Sequence, residues 1–261
     1  MGPPAPRATL SLAAAVLLLA GCAPDARRDP FTATGELVAM SGGDAGPDGA
    51  CFTCHGLRGQ GDEDSVPRLA GLPAGYLQKQ LEDYAAERRP DPVMVPIARA
   101  LHAADRRTAA AYYAGLPSSW TVTNATAATA AGRAAAARLY HQGDPRRGLA
   151  PCASCHGATG EGGGAANPPL AGQPPAYLAE QLRRWKTARR RNDPRGEMLA
   201  LSRRLTDAEI AALSTYAAGL SGPTAPAGPP RAASPPERRA DAAHDAAPSP
   251  RHAAAAGSGG G

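Results

Sequence analysis

Large aromatic side chains are scarce in this chain of 261 residues, which contains two Phe, two Trp and seven Tyr. A chain of this length can form one large domain or two small ones. Small domains bury too little of their surface to be stable without a well-filled apolar interior. We therefore expect a group other than the side chains to fill part of the core.

Lysine is scarce as well, and so is any pattern typical of nucleic-acid binding. Lys79 and Lys186 are the only lysines among 28 basic residues, and the formal net charge is +5. A nucleic-acid interface typically combines a basic stripe with interleaved aromatic residues, and no segment has that pattern. The arginine excess is typical of a GC-rich coding sequence, and we expect no nucleic-acid partner.

The N-terminus lacks an apolar run long enough to span a membrane. Residues 10–20 form an apolar stretch of eleven, whereas a spanning helix needs ~20 residues. Arg7 precedes the stretch, and Leu-Ala-Gly leads from it into Cys22, which resembles the lipobox of bacterial lipoprotein signals. The resemblance implies export, cleavage before Cys22 and a lipid anchor on Cys22 at the periplasmic side of a bacterial membrane. The alternative is an ordinary export signal with a chance cysteine.

The other four cysteines lie in two copies of Cys-x-x-Cys-His, 101 residues apart. The copies are Cys51, Cys54 and His55, and Cys152, Cys155 and His156. Residues 51–82 align with 152–183 ("CFTCHGLRGQG" over "CASCHGATGEG"), and after three inserted residues Met94 aligns with Met198. A tandem repeat of about 80 residues predicts two domains of one fold.

Apolar spacing within each unit predicts helices. One face carries Tyr76, Leu77, Gln80, Leu81 and Tyr84, and the second copy repeats it with Tyr177, Leu178, Gln181, Leu182 and Trp185. The segment 127–143 is predicted to be helical, and "TDAE" at 206–209 is a capping box. The helix that opens the first domain is expected to be short or irregular. Because no convincing alternating strand is present, we predict an all-α fold of two tandem domains.

These features divide the chain into six segments. They are a signal peptide (1–21), a tether (22–40), a first domain (41–117), a linker (118–128), a second domain (129–221) and a Pro/Ala/Gly-rich tail (222–261). The tail offers almost nothing that can be buried, so it is predicted to be disordered.

Three chemistries use paired cysteines beside a histidine. A structural zinc site needs four ligands, and joining the two pairs would leave both histidines unused. A thioredoxin-like redox pair should lie beside a β-α-β pattern, which is absent. In a c-type haem site, the two thiols bond to the porphyrin and the adjacent histidine binds the iron. The haem interpretation accounts for every residue of both copies, so we predict two haem c groups.

The sixth ligand of each iron is predicted to be a methionine, Met94 in the first domain and Met198 in the second. A thioether ligand raises the reduction potential of the iron. These two methionines are repeat-equivalent in a chain with only four, whereas Met40 precedes its motif and is assigned to packing. The remaining histidines are expected to be solvated: His102, His141, His244 and His252.

Two tandem stretches carry a family resemblance, "CFTCHG…VPRLAG…YLQKQL…DPVM" and "CASCHG…NPPLAG…YLAEQL…NDPRGEM". Over residues 45–221, the chain resembles the dihaem cytochrome c4 family. The resemblance implies two class I cytochrome c domains whose haems face each other across the interface. It also implies that the Pro67 and Pro168 carbonyls accept hydrogen bonds from the two proximal imidazoles. The lipobox and the long tail depart from the soluble members of the family.

The resemblance further implies an electron carrier rather than an enzyme, because both axial positions of each iron are filled. The expected partners are a quinol-oxidising complex and a terminal oxidase. One alternative is a cytochrome subunit of a dehydrogenase complex, of the flavocytochrome or alcohol dehydrogenase type. Another is a ligand-binding or peroxidase-like protein with one open iron.

Arginine runs recur at the same place in both units, at 87–89 ("ERR") and 188–191 ("ARRR"). Such a charge run is usually a solvated face. The alternatives are that these arginines neutralise haem propionates or steer an acidic partner.

We expect the purified protein to contain two haems per chain, because each copy of Cys-x-x-Cys-His attaches one. A pyridine haemochrome assay, divided by the protein concentration, measures this ratio. Any ratio other than two would contradict the assignment of both motifs.

Overall fold

The structure is a computed structural model that describes residues 1–2, 34–62, 64–118 and 129–222. Cys22, most of the predicted signal peptide, and nearly all of the predicted linker and tail lie outside the described residues. Only helices and two isolated β-bridges, Asp144–Leu149 and Gly163–Asn167, occur within these ranges. The predicted all-α fold is confirmed. None of the helices in these ranges is both long and apolar enough to cross a membrane.

The described part of the first half contains five α-helices. They are α1 (Gly35–Ser41), α2 (Cys51–His55), α3 (Ala74–Ala85), α4 (Met94–Ala100) and α5 (Ala103–Gly115). Helix α5 packs against α1 and α3, and α3 packs against α4. Most of α1 lies in the range 22–40 that was predicted to be a tether, yet Val38 and Ala39 are fully buried. The first folded half therefore extends to Gly35, and its opening helix is short because it ends at Gly42.

The second half repeats this arrangement. Its helices are α6 (Ala130–Gln142), α7 (Ala153–His156), α8 (Pro175–Lys186), α9 (Glu197–Ser202) and α10 (Asp207–Ala218). Helix α10 packs against α6 and α8, and α8 packs against α9. The predicted capping box begins α10, because Thr206 Oγ1 accepts from the Glu209 N–H and Glu209 Oε2 accepts from the Thr206 N–H.

Each half has its own apolar core, and a motif cysteine packs against each. In the second half, Tyr140, Ile210 and Leu213 are almost fully buried, and Cys152 lies against their cluster. The cluster that Cys51 contacts in the first half consists of Ala39, Leu72, Leu77, Ala110 and Tyr113. Burying a Leu or Ile side chain contributes about 1.5–3 kcal/mol, and alanine offers much less area. A further cluster of Val38, Leu101 and Ala109 adds to the apolar interior of the first half.

The two halves meet through polar contacts between the loop at Arg68 and the loop at Gln173. The Arg68 N–H donates to Gln173 Oε1 at 3.1 Å, and Gln173 Nε2 donates to the Arg68 carbonyl at 2.9 Å. The Arg68 guanidinium also donates to the Ala171 carbonyl at 3.0 Å. The repeat counterparts of these two residues are Pro169 and Leu72. Because neither counterpart has a polar side chain, these hydrogen bonds would be lost if the two halves exchanged places.

Helices α3 and α8 each carry an ion pair, and the order of the basic and the acidic residue along the helix is reversed between them. Lys79 pairs with Asp83 on α3, and at the equivalent positions Glu180 pairs with Arg184 on α8. Arg184 reaches across the interface to Asp91 Oδ2 at 3.1 Å.

Asp83 is the buried acceptor of this surface, with 2% of its area exposed. Its Oδ2 accepts from Asn192 Nδ2 of the second half at 2.8 Å. Burial alone would raise the pKa of Asp83, but hydrogen bonds from Lys79, Asn192 and Arg88 lower the pKa below its ordinary value. The carboxylate is therefore held ionised at the interface between the halves.

Candidate haem-binding sites

Each Cys-x-x-Cys-His copy forms a single helical turn that presents its two thiols and its imidazole together. The first copy is helix α2, and the second is α7 with Cys152 as the residue that caps it. In both copies, the first cysteine is half-buried and the second is exposed. Burial raises the pKa of the Cys51 thiol, and it raises the pKa of Cys152 to about 11. The first thiol of each pair therefore faces the apolar core of its half, and the second faces the surface.

The four motif cysteines are all free thiols and do not converge on one point. No group of three or more His, Cys, Asp or Glu side chains in the described part of the chain could hold a metal ion. The four-cysteine zinc site considered from the sequence is therefore not formed. Each pair stays within its own half.

Each motif histidine has one ring nitrogen committed to a backbone carbonyl. His55 Nδ1 donates to the Pro67 carbonyl at 2.9 Å, and His156 Nδ1 donates to the Pro168 carbonyl at 2.9 Å. Burial lowers the pKa of both imidazoles, and the carbonyl hydrogen bonds only partly offset this. The neutral imidazole is thus favoured with its proton on Nδ1. That tautomer leaves Nε2 available to bind a metal.

The loop after each histidine has the same backbone hydrogen bonds in both halves. The Gly61 N–H donates to the His55 carbonyl, and the Leu69 N–H donates to the Gly59 carbonyl, both at 2.8 Å. Gly59 has a φ of 64°, and a Cβ there would lie 2.7 Å from the Tyr113 ring. Only glycine allows the loop to pass this close to α5 in that conformation. The loop in turn brings the Pro67 carbonyl to the histidine.

Both predicted methionine ligands lie in the first turn of a short helix, and the backbone N–H of each donates to an aspartate. The Met94 N–H donates to Asp91 Oδ1 at 3.0 Å, and the Met198 N–H donates to Asp193 Oδ2 at 2.7 Å. Both methionine side chains are half-buried. A carboxylate that binds the first N–H groups of a helix fixes the position of that turn. Sequence analysis missed these aspartates because the inserted residues give them different offsets from the cysteine motifs.

The other methionine and histidine candidates lie elsewhere. Met40 is half-buried in α1. His102 Nε2 lies 2.9 Å from Asp44 Oδ2, and His141 Nε2 lies 2.8 Å from the Tyr216 hydroxyl, both at the surface. The predicted solvated positions of His102 and His141 agree with their exposure, and His244 and His252 lie outside the described residues.

Several buried polar side chains could bind a cofactor that is both apolar and anionic. The Tyr113 hydroxyl and Trp185 Nε1 are buried and have no hydrogen-bond partner among the described residues. Arg89 and Arg190 are 4% and 3% exposed, and neither forms an ion pair within the described ranges. The interpretation of the arginine runs as a solvated face is therefore wrong for these two residues. A porphyrin that carries carboxylates fits this set of donors, together with the thiols and imidazoles.

The comparisons with known proteins agree with this chemistry. A family model described as cytochrome c matches residues 42–113 and 134–221, one match in each half. The chain belongs to the cytochrome c family. Its two cytochrome c domains imply two covalently bound haem c groups, as predicted from the duplicated motif.

Among sequence relatives, a thiosulfate dehydrogenase electron acceptor from Stutzerimonas stutzeri is 38% identical over 189 residues, which cover 72% of this chain and 87% of the relative. A cytochrome c4 from Thiocapsa roseopersicina is 37% identical over 181 residues, which cover 69% and 91%. These similarities confirm a cytochrome c4-like electron carrier that is not itself catalytic.

Two solved structures are similar to this cytochrome. The reduced cytochrome c4 from Pseudomonas stutzeri has a TM-score of 0.61 and 30% identity, and the match covers 70% of this chain and 98% of that one. A thiosulfate dehydrogenase from Marichromatium purpuratum has a TM-score of 0.65 and 42% identity over 79% of this chain. This chain spans 44% of the length of that enzyme's chain. The fold of two tandem cytochrome c domains is thereby confirmed.

Within this cytochrome, different residues would bind different parts of each haem. In the first half, Cys51 and Cys54 would form the thioether bonds to the haem, and His55 Nε2 and Met94 would bind the iron. The second half would use Cys152, Cys155, His156 and Met198 in the same way. The haem supplies one-electron exchange between Fe(III) and Fe(II). The chain orients each imidazole, keeps it neutral and packs an apolar cluster against the first cysteine of each pair.

Replacing Met94 or Met198 by Ala is expected to remove one thioether–iron bond. The near-infrared band that reports this bond in the Fe(III) protein should fall to about half in either variant and vanish in the double variant. Met40→Ala is the matched control and should leave the band at full intensity. A full band in Met94→Ala would show that another residue binds the first iron.

Proposed function

We propose that this cytochrome accepts electrons from a dehydrogenase of the thiosulfate-oxidising class and passes them to a terminal oxidase. It works from the periplasmic side of a bacterial membrane, tethered by lipid on Cys22. The proposal of a dehydrogenase donor is supported by a relative named thiosulfate dehydrogenase electron acceptor, which is 38% identical over 87% of its own length. A second relative with the same name, from Thiomonas intermedia, is also 38% identical.

The residues of each half support a carrier, because an attachment cysteine is exposed and a histidine and a methionine are available to bind the iron. Cys54 and Cys155 are exposed, so each attachment site reaches the surface of its half. Leu57 follows His55 by two residues and is 63% exposed. An apolar residue beside an attachment site is suited to brief contact with a redox partner. A histidine and a methionine that both bind the iron would leave no position open for a substrate.

A quinol-oxidising complex is the second candidate donor, with the terminal oxidase again as the acceptor. The observation that favours it is the similarity to several proteins named cytochrome c4, from 31% to 37% identical. The two candidates differ only in the donor.

Stopped-flow reduction of the purified oxidised protein tests the donor. A thiosulfate dehydrogenase prepared from Stutzerimonas stutzeri, supplied with thiosulfate, is expected to reduce both haems. Omission of either enzyme or thiosulfate is the control and should give no reduction. If quinol-oxidising membranes with quinol reduce the protein and the dehydrogenase does not, the donor is the second candidate.

The lipid anchor is tested with Cys22→Ser in the producing bacterium. The native protein is expected in the membrane fraction, because bacterial lipoproteins carry more than one acyl chain and dual acylation gives stable anchoring. The variant should appear in the soluble periplasmic fraction with unchanged haem content. A native protein that is already soluble would refute the anchor.

A further inference from the structure

A buried tyrosine belongs to the apolar cluster at each attachment motif, but it comes from a different helix in each half. In the first half it is Tyr113 on the last helix, α5, and in the second it is Tyr140 on the opening helix, α6. Only 2% and 1% of their area is exposed. Cys51 packs against the cluster that contains Tyr113, and Cys152 packs against the cluster that contains Tyr140. Each first cysteine of a pair thus has one tyrosine in its apolar surroundings.

The helix that lacks the tyrosine carries an alanine instead. The repeat counterpart of Tyr113 is Ala217, and that of Tyr140 is Ala39. Both alanines are buried, and they belong to the same two clusters. Each core therefore holds one ring and one methyl group at these two positions, in opposite order. The exchange conserves side-chain volume, which cores tolerate well, but it changes the helix from which the hydroxyl projects.

The two hydroxyls differ in their acceptors. The Tyr140 hydroxyl donates to the Gly157 carbonyl at 2.8 Å. The Tyr113 hydroxyl is buried and has no partner within hydrogen-bond distance among the described residues. Burial raises the pKa of both phenols, so both hydroxyls keep their protons and can act as donors. Because an unpaired buried donor is costly, the Tyr113 hydroxyl needs an acceptor.

The Cys51 sulfur is the acceptor nearby. Burial raises the pKa of the Cys51 thiol, and the neighbouring Tyr113 hydroxyl lowers it. That lowering has the sign expected when the hydroxyl donates and the sulfur accepts. When the haem is attached, a carbon atom replaces the thiol proton, and the sulfur keeps its lone pairs as a weak acceptor. In the second half, Tyr140 has already committed its proton to the Gly157 carbonyl.

We propose that the Tyr113 hydroxyl donates to the Cys51 thioether sulfur in the haem-loaded protein and thereby raises the reduction potential of the first haem alone. A hydrogen bond to the sulfur withdraws electron density from the haem, which favours Fe(II) over Fe(III). Tyr113 is thus a positioning residue that acts through Cys51, and it is not an iron ligand. The inference concerns the chain's own cofactor and does not depend on which protein supplies the electrons.

The consequence is a bias in where a single electron resides. Both irons have the same predicted ligands, His55 with Met94 and His156 with Met198, so a difference between their potentials comes from their surroundings. Only the first sulfur receives a hydroxyl proton from its tyrosine. In the singly reduced protein, the electron should therefore reside on the first haem more often than it would without this hydroxyl.

Tyr113→Phe tests the proposal, with Tyr112→Phe as the matched control. Tyr112 is the preceding residue on α5, and its ring lies 5.1 Å from the Tyr113 ring. Tyr113→Phe is expected to shift the first haem toward the oxidised form by about threefold, which is ~28 mV for a one-electron couple at ~59 mV per tenfold change. The second haem of the same molecule should not shift, and Tyr112→Phe should leave both potentials unchanged.

Both potentials are measured by spectroelectrochemical titration, and proton NMR of partly reduced samples assigns each potential to its haem. Phenylalanine keeps the ring that packs against Gly59, so the fold should persist. A tyrosine with a purely structural role would change thermal stability on substitution and leave the first potential unchanged. That result would overturn the proposal, and so would an equal shift of both haems.

A measurement on the native protein decides the matter if Tyr113→Phe fails to fold. In the reduced protein, the Tyr113 hydroxyl proton should exchange slowly with water because it is buried and bonded. It should also show a nuclear Overhauser effect to the protons of the Cys51 thioether bridge. A hydroxyl proton that exchanges too fast to be observed, or one with effects only to other protons, would contradict the proposal.

Discussion

A neutral histidine can bind iron through Nε2 only when its ring proton is on Nδ1, and much of each half serves to hold that proton there. The Pro67 and Pro168 carbonyls do so, and they reach the imidazoles because a glycine-bearing loop turns back beneath the motif helix. Tyr113 packs against that loop at Gly59 in the first half, and the Tyr140 hydroxyl donates to the Gly157 carbonyl in the second. The apolar cores thereby determine the tautomer of the ligand.

The parts of the site that depend on local spacing could be predicted from the sequence. The motif helices, the offset of 101 residues and the paired methionines needed only the alignment of the chain with itself. The capping box at Thr206 and the face of α3 were likewise local patterns. Helix α1 was not predicted within the range assigned to the tether, because Gly35 to Met40 carry no periodic signal longer than two turns, although Val38 and Ala39 are fully buried.

Contacts between the halves could not be predicted, because they join residues about 100 positions apart. Gln80 and Gln181 were placed correctly on a helix face, but nothing local indicates that their oxygens accept from two arginines. Arginine runs are solvated in most proteins, so the burial of Arg89 and Arg190 follows only from the packing of one half on the other. The aspartates that hold Met94 and Met198 were hidden by the inserted residues.

The reversed ion pairs on α3 and α8 also affect which halves can pack against each other. If two first halves met through this face, Asp83 would stand where Arg184 stands, because these two residues are repeat-equivalent. It would approach Asp91 of the other copy, and like charges would meet. The mixed pair avoids this repulsion, and the covalent connection keeps that partner at a high effective concentration. Duplication gave the chain two nearly equal units, and the reversed charges disfavour the pairing of two first halves.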